Sequence, residues 1–192
     1  MKSIESFVIR LPKKFKDEIE LNGNKLFLDS KFDEFGNRFM EAEIVSPPLK
    51  YNTGAKAGDT LYFHHHVVLS PQYSMGDHIY LVPYHPHGNR NNMANAYKNE
   101  DGIHMLGQWV FLEPMESSKK LKSSLLELVQ EDVENDRGKV IYTSPEIQEA
   151  GVEVGDVVYF SKNSDYEMEV DGKTVWRMLV SDLMYVAPAE KG

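Results

Sequence analysis

The chain has no cysteine among its 192 residues. Disulfide bridges and thiolate metal sites are therefore excluded, and a chain without cysteine suits a reducing compartment. Long apolar runs are absent as well, since none approaches the ~20 residues that a membrane-spanning helix requires. The opening MKSIESFVIR has no apolar core of the kind found in signal peptides. We expect a cytoplasmic protein with no membrane partner.

Clustered positive charge is also scarce. The chain carries 21 Lys and Arg against 30 Asp and Glu, a formal net charge of −9. Nucleic-acid binding depends on clustered Lys and Arg that neutralise phosphates. The one basic cluster, KKFK at 13–16, is followed at once by acidic residues. This balance predicts a protein that does not bind nucleic acid.

Signatures of catalysis are missing from the sequence. It has no Gly-rich phosphate loop, no Gly-x-Ser-x-Gly turn and no cysteine nucleophile. Acidic pairs such as Glu131-Asp132 stand among other polar residues and read as solubilising charges. The sequence therefore predicts a protein that is not an enzyme and needs no cofactor.

What the chain does contain is a repeat. The segment TGAKAGDTLYF at 53–63 recurs as AGVEVGDVVYF at 150–160. Aligned from Gly54 and Gly151, ten positions run without a gap and five of them are identical. Such self-similarity indicates that one supersecondary unit is built twice.

Short apolar segments surround each copy of this motif in the same order. KLFLDS (25–30) resembles WVFLEP (109–114), and AEIVSPP (42–48) resembles GKVIYTSP (138–145). Each copy then reads as about five short strands with turns at close spacing, which predicts an all-β protein. We expect two tandem small barrels, the first a degenerate copy of the second.

Each copy also has a two-residue turn signal downstream of the motif. Asp171-Gly172 in the second copy lies between alternating segments, as in a type I′ hairpin, and Gly76-Asp77 stands at nearly the same place in the first. These signals predict one hairpin in each copy.

The predicted domains are 1–107 and 108–192. SFVIRLP (6–12) is expected to add an extra strand before the first barrel. The segment 84–100 is rich in Asn, His and Gly, and predicts an irregular surface insertion.

The two copies differ in the connection between their first two strands. The first copy uses thirteen fewer residues from Leu26 to Gly58 than the second uses from Val110 to Gly155. The additional residues of the second copy lie in 116–137, a polar and charged stretch with one aliphatic cluster, SLLELV at 124–129. Such a segment buries too little apolar surface to order alone, so we expect a mobile loop. The first copy is expected to have lost its loop.

The second copy resembles the GroES-type co-chaperonin domain. The resemblance lies in the order of WVFLEPMES, a long loop, RGKVIYTSP, AGVEVGDVVYF and the closing MLVSDLMYVA. It covers about 108–188, and a weaker match covers about 25–107. The tandem arrangement is similar to the chloroplast co-chaperonin. Only PEIQEAG stands where the family has a long roof hairpin, as in phage-encoded members, so a phage source and a bacterial host cytoplasm are expected.

The resemblance implies a function without chemistry. Such proteins form rings, seven chains in the typical case, that cap an ATP-loaded chaperonin and enclose a client protein. A mobile loop between the first two strands docks an aliphatic tripeptide on the chaperonin. In this chain that loop is 116–137, and the implied contacts are the aliphatic residues of SLLELV: Leu125, Leu126, Leu128 and Val129.

A second interpretation of the same stretch stays open. Leu121, Leu125 and Leu128, with Val129, follow helical spacing, so an amphipathic helix packed on the barrel is the alternative. The family's glycines before the tripeptide are replaced here by Lys122-Ser123-Ser124.

The histidines support a rival function. All seven fall in one part of the chain: His64, His65, His66, His78, His85, His87 and His104. Gly58, five residues and then His64-x-His66 match the opening of a cupin metal motif, and on a strand these two side chains share a face. The motif's Glu is absent, and Ser161, Lys162 and Asn163 replace the histidines in the second copy. A cupin-like metalloprotein and a purely structural β-module remain the alternatives.

Overall fold

A computed structural model describes residues 1–12, 18–21, 24–27, 39–87, 91–115, 137–161 and 164–187. The chain divides into two compact units, 1–107 and 108–192. Antiparallel strands dominate both units, which confirms the predicted all-β class. None of the described helices is long and apolar enough to cross a membrane.

The described part of the first unit holds nine strands and two short helical turns. The strands are β1 (Ser6–Arg10), β2 (Glu18–Leu21), β3 (Asn24–Phe27), β4 (Glu41–Ser46), β5 (Thr60–Phe63), β6 (Ser74–Gly76), β7 (Ile79–Pro83), β8 (Ala94–Asn99) and β9 (Gly102–Met105). Helix α1 (His66–Leu69) and a 3-10 turn (Pro71–Tyr73) follow β5. Seven strands pair in the order β6-β7-β1-β4-β5-β8-β9, whereas β2 and β3 pair with each other in a separate sheet.

The second unit repeats this plan with fewer strands. They are β10 (Trp109–Pro114), β11 (Arg137–Tyr142), β12 (Val157–Phe160), β13 (Tyr166–Val170), β14 (Lys173–Leu179) and β15 (Leu183–Ala187). Helix α2 (Pro145–Glu149) joins β11 to β12, and a 3-10 turn (Val180–Asp182) precedes β15. The strand order is β13-β14-β10-β11-β12-β15.

The two sheets correspond strand for strand. Each strand of the second sheet has a counterpart in the first when the orders are compared: β6-β7-β1-β4-β5-β8 corresponds to β13-β14-β10-β11-β12-β15. The first sheet has β9 as an additional strand at one end. The pairing register is irregular at equivalent places in the two sheets. One irregularity lies between Val8 and Ile9 in β1 and has its counterpart in β10. The other lies between Tyr62 and Phe63 in β5 and has its counterpart in β12. The first unit is thus a structural copy of the second.

The repeated sequence motif folds identically in the two units. In the first, the Gly58 N–H donates to the Ile44 carbonyl at 2.8 Å, and the Ile44 N–H donates to the Asp59 carbonyl at 2.8 Å. The same two bonds join Gly155, Val140 and Asp156, each again at 2.8 Å. Both Gly58 and Gly155 have positive φ, +94° and +101°, which explains why glycine opens each turn.

The aspartate of each motif closes this turn with its side chain. The Asp59 carboxylate accepts the Lys56 N–H at 2.7 Å, and the Asp156 carboxylate accepts the Glu153 N–H at 2.8 Å. The motif is therefore a turn stabilised by its own carboxylate, and it launches β5 and β12 in the same register.

The two cores use equivalent positions with different side chains. Register pairs them as Phe7 with Val110, Ile9 with Leu112, Ile44 with Val140, Leu61 with Val158, Phe63 with Phe160, Tyr80 with Trp176 and Val82 with Met178. Only the phenylalanine that ends the motif is kept. Total apolar volume, rather than residue identity, sustains each core.

The strand that opens the first sheet is not the predicted one. SFVIR forms β1, which pairs with β4 and β7 as β10 pairs with β11 and β14. The predicted opening strand, KLFLDS, contributes to β3, which pairs only with β2 among the described strands. β1 takes the central position because Phe7, Val8 and Ile9 are fully buried there.

With β1 as the opening strand, the first unit has the longer connection between its first two strands of the sheet. The segment between β1 and β4 covers residues 11–40, which is 30 residues, whereas the segment between β10 and β11 covers 115–136, which is 22. The expectation that the first copy has lost its loop is wrong, because it counted from a strand that lies inside the connection.

Two further expectations for the first unit need correction. The predicted irregular insertion at 84–100 contains β8, whose residues Ala94 to Tyr97 are buried. The hairpin turn lies at Asp77-His78, with φ +46° and +65°, one residue beyond the predicted Gly76-Asp77. In the second unit the predicted turn is confirmed, since Asp171 and Gly172 have φ +52° and +72°.

Candidate functional site

The predicted chaperonin contacts Leu125, Leu126, Leu128 and Val129 lie outside the described residues, as do 116–136. The structure does describe the base of that connection, which is formed by the adjoining ends of β10 and β11. Glu113 pairs with Lys139 and Pro114 with Gly138, at the ends of β10 and β11. The two ends of the connection therefore leave the sheet side by side.

Close backbone packing holds this base together. A Cβ atom added to Gly138 would lie 3.0 Å from the Leu112 Cβ and 3.2 Å from the Glu113 carbonyl oxygen. Contacts that short would require neighbouring atoms to shift by a few tenths of an ångström, so glycine suits the close approach of β11 to β10. Leu112 and Val140 are fully buried next to it and anchor both strands in the core. Both ends of the connection therefore leave strands that are anchored in the core.

An aromatic cluster braces the outer side of β10. The guanidinium carbon of Arg177 lies 4.1 Å from the ring centre of Trp109 and 4.4 Å from that of Tyr166. Burial lowers the pKa of Arg177 to about 10, against the raising effects of Tyr166 and Asp182. The side chain is therefore charged at neutral pH and makes cation–π contacts with both rings. These contacts tie β10, β13 and β14 together.

The segment between β11 and β12 is short. Ser144 caps α2 by accepting the Ile147 N–H at 3.3 Å, and Pro145 occupies its first turn. Ile147 is buried in the core of the second unit. A single helical turn packed on the sheet therefore stands where the family resemblance implies a roof hairpin.

The last strand of the second sheet has a feature that the sequence analysis missed. β15 pairs with β12 alone among the described strands, and it contains no charged residue. Met184 is 68% exposed and Tyr185 is 56% exposed. The signal in the sequence is the uncharged run LMYVA at the end of a sheet, but only strand order reveals that this run is an edge.

The histidine motif does not form the pair that the cupin alternative requires. His64 follows β5, and His66 begins α1, so the two residues do not share a strand face. The His64 Nδ1 accepts the backbone N–H of His66 at 3.1 Å. The His64 and His65 rings stack with centroids 4.8 Å apart. The expectation of two strand-borne ligands is wrong because the chain turns into a helix directly after the strand.

His104 and His78 lie on other elements of the first unit. His104 on β9 stacks on Tyr97 at 4.8 Å, and its Nε2 lies 3.1 Å from the Asn99 Oδ1. His78 occupies the β6–β7 turn. In the part of the chain that the structure describes, no group of three or more His, Asp or Glu side chains is placed to hold a metal ion.

Comparison with known families identifies the second unit. Residues 102–187 match the family described as the chaperonin 10 kDa subunit. The match begins in β9 and ends at the last residue of β15, so it takes in every strand of the second sheet. A comparison with curated proteins gives no match. The second unit of this chain is similar to the GroES-like domain of the chaperonin 10 kDa subunit family.

Proposed function

We propose that this chain is a co-chaperonin, a ring-forming lid that binds an ATP-loaded GroEL-type chaperonin and encloses a client protein. The observation that carries the proposal is the family match over the complete sheet of the second unit. The base of the connection in that sheet agrees with it, because β10 and β11 hold both ends of a 22-residue segment side by side. The protein then acts in the cytoplasm, that of a bacterial host if the source is a phage.

The docking segment in this proposal is 116–137, with Leu125, Leu126, Leu128 and Val129 as its contacts. Each aliphatic side chain that becomes buried contributes ~1.5–3 kcal/mol. Ordering a flexible segment on binding offsets a large part of that gain. A single segment therefore binds weakly. Several segments on one ring bind tightly through their effective concentration.

The ring is proposed to contain seven chains, as the resemblance implies. The longer connection of the first unit means that each chain carries two segments of loop length, at 11–40 and 115–136. The number of loop-length segments in each chain therefore does not support a ring of seven chains. The proposed ring size depends on the family resemblance alone. Native mass spectrometry of the purified protein tests it directly. A mass of three or four chains would contradict the seven-membered ring.

Co-sedimentation with a double-ring bacterial chaperonin, with and without ATP, tests the function. The variant Leu125→Asp/Leu126→Asp is compared with wild type. Its matched control, Ser117→Asp/Ser118→Asp, adds the same charge to the polar flank of the same segment. We expect ATP-dependent binding that the leucine variant loses and the serine variant keeps.

Other outcomes separate the parts of the proposal. Binding that survives the leucine substitutions keeps the co-chaperonin function and moves the contact elsewhere. The absence of binding to any of several chaperonins, by a protein that is folded and assembled, contradicts the function itself.

A further inference from the structure

Two strongly exposed aliphatic side chains of the first unit lie where residues 3–5 meet the segment between β4 and β5. Ile4 is 68% exposed and Leu49 is 62% exposed. The Leu49 N–H donates to the Ser3 carbonyl at 3.0 Å, and the Lys50 N–H donates to the Ile4 carbonyl at 2.9 Å. The two backbones therefore run side by side, and Ile4 and Leu49 form one apolar patch.

Aromatic packing fixes the backbone beneath this patch. The Tyr84 N–H donates to the Glu5 carbonyl at 3.2 Å, which joins residues 3–5 to the end of β7. The Tyr84 ring meets the rings of Phe7 and Tyr51 edge-on, with centroids 5.5 Å away in each case. Tyr84 and Phe7 are buried in the core of the first unit. The two aliphatic side chains are thus presented on an ordered backbone, which lowers the entropy cost of burying them against a partner.

One basic and one acidic side chain flank the patch. The Lys50 Nζ donates to the Glu5 carboxylate, and the two side chains are 52% and 45% exposed. Together they carry no net charge. A two-fold axis through the patch would set the lysine of each copy opposite the glutamate of the other, with the aliphatic side chains between them. The patch is therefore complementary to itself, as a two-fold interface requires.

The equivalent place in the second unit is acidic. There Gln108 takes the position of Glu5, and its Nε2 donates to the Glu146 Oε1 at 3.3 Å. Two further exposed glutamates, Glu149 and Glu153, follow in the same segment. Carboxylates that are pressed against aliphatic side chains lose hydration without gaining a partner. A second copy of the patch therefore fits the first unit better than this segment does.

We propose that copies of this chain pair first unit to first unit through the patch of Ile4 and Leu49, with Glu5 and Lys50 as its charged rim. The partner is a second copy, turned by a two-fold axis. One such contact buries few side chains and is weak. A ring repeats the contact in every chain, so effective concentration makes the pairing of two rings strong. The inference rests on the ring of the proposed function for this repetition.

Sedimentation velocity of the purified full chain, over a range of concentrations, tests the pairing. We expect the assembled protein to be in equilibrium with a species of twice its mass. Leu49→Asp is expected to lose this heavier species. The matched control is Val154→Asp, which adds the same charge to the equivalent segment of the second unit, where Val154 is 57% exposed. It is expected to keep the heavier species, and both variants are expected to keep the thermal midpoint of wild type.

Three results would overturn the pairing. Wild type may not double its mass at any concentration at which it stays soluble, Leu49→Asp may keep the heavier species, or Val154→Asp may lose it. A client protein is the other occupant that an apolar patch could take. If Leu49→Asp keeps the heavier species and loses binding to reduced, carboxymethylated α-lactalbumin, the patch binds clients and the proposal is wrong.

A charge exchange separates a contact between copies from the ion pair within one chain. Glu5→Lys and Lys50→Glu each give the rim a single sign of charge, so neither variant is expected to pair with itself at low ionic strength. Mixed after separate assembly, the two variants are expected to pair with each other, because a positive rim then meets a negative one. A mixture without the heavier species, or pairing of either variant alone, would contradict the proposal.

The outcome is separable from that of the proposed function. Every readout uses the free protein, so a failed co-sedimentation with chaperonin leaves the pairing intact. Native mass spectrometry that finds pairs of chains, lost in Leu49→Asp, without any ring would keep this contact and contradict the ring.

Discussion

The two units of this chain have the same sheet but different connections and edges. Six strands, two register irregularities and the Gly-Asp turn recur in both. The connection after the first strand is 30 residues in one unit and 22 in the other, and one unit adds β9. The comparison teaches that the sheet is the invariant part, because its hydrogen bonds and core depend on one another. The connections and the sheet edges are the parts that differ between the units.

The equivalence of the two cores predicts the largest effect. Phe63 and Phe160 are the retained residue of the motif, both essentially buried, and Phe160 meets Trp176 edge-on at 5.9 Å. Truncating either to alanine leaves a cavity, so we expect each variant to lose ~3–5 kcal/mol of unfolding free energy. Urea unfolding of Phe63→Ala and Phe160→Ala measures both. A loss below ~1 kcal/mol in only one of them would break the equivalence of the cores.

A difference between the units predicts the next effect. Ala42 pairs with Leu61 of β5 where Gly138 pairs with Val158 of β12, so the two residues occupy equivalent positions. An added Cβ at Gly138 would press on Leu112 and on the Glu113 carbonyl, so Gly138→Ala is expected to cost ~1–3 kcal/mol of unfolding free energy. Ala42→Gly is the control, with an expected cost of ~1 kcal/mol from strand entropy. Urea unfolding that ranks Ala42→Gly as the more harmful change would contradict the packing argument.

The two hairpin turns differ at one residue. His78 adopts φ +65° where the second unit has Gly172 at +72°. In that conformation a residue with a Cβ is less stable than glycine by about 1 kcal/mol. We therefore expect His78→Gly to raise the free energy of unfolding by about 1 kcal/mol and Gly172→Ala to lower it by about the same amount. Thermal unfolding monitored by circular dichroism detects shifts of this size. Equal melting temperatures for both variants and wild type would contradict the argued cost of a Cβ at this position of the turns.

The smallest predicted effect belongs to the first unit alone. The hydrogen bond from the Lys50 Nζ to the Glu5 carboxylate lowers the pKa of Glu5 and raises that of Lys50. Because the folded pKa of Glu5 is depressed, the pair stabilises the protein above the ordinary carboxyl pKa, and this contribution is lost as pH falls. Both groups are exposed, so the effect is small. An NMR titration of Glu5 should show its pKa rise in Lys50→Met, and an unchanged value would rule out the pair in solution.

Local patterns predicted those elements whose geometry depends on a few neighbouring residues. Asp171-Gly172 predicted a type I′ turn because both residues must have positive φ, and the repeat predicted equivalent strands because five identities include the glycine and aspartate that shape the turn. Patterns failed where two segments look alike. SFVIR and KLFLDS are both short and apolar, and nothing local says which one pairs with β4. β8 was missed because ANAYKN has small and polar residues whose burial comes from its neighbours.

The sequence by itself determined the all-β class, the duplication, the turn chemistry and the family resemblance of the second unit, since these follow from residue type and spacing along the chain. The tertiary structure decided which strand opens the first sheet, where its long connection lies, how the histidines are arranged and which sheet edge is open. Strand pairing joins residues that are distant in the chain, and its choice depends on the burial of whole faces at once. The edge position of β15 follows from this pairing, because an edge exists only once the sheet is assembled.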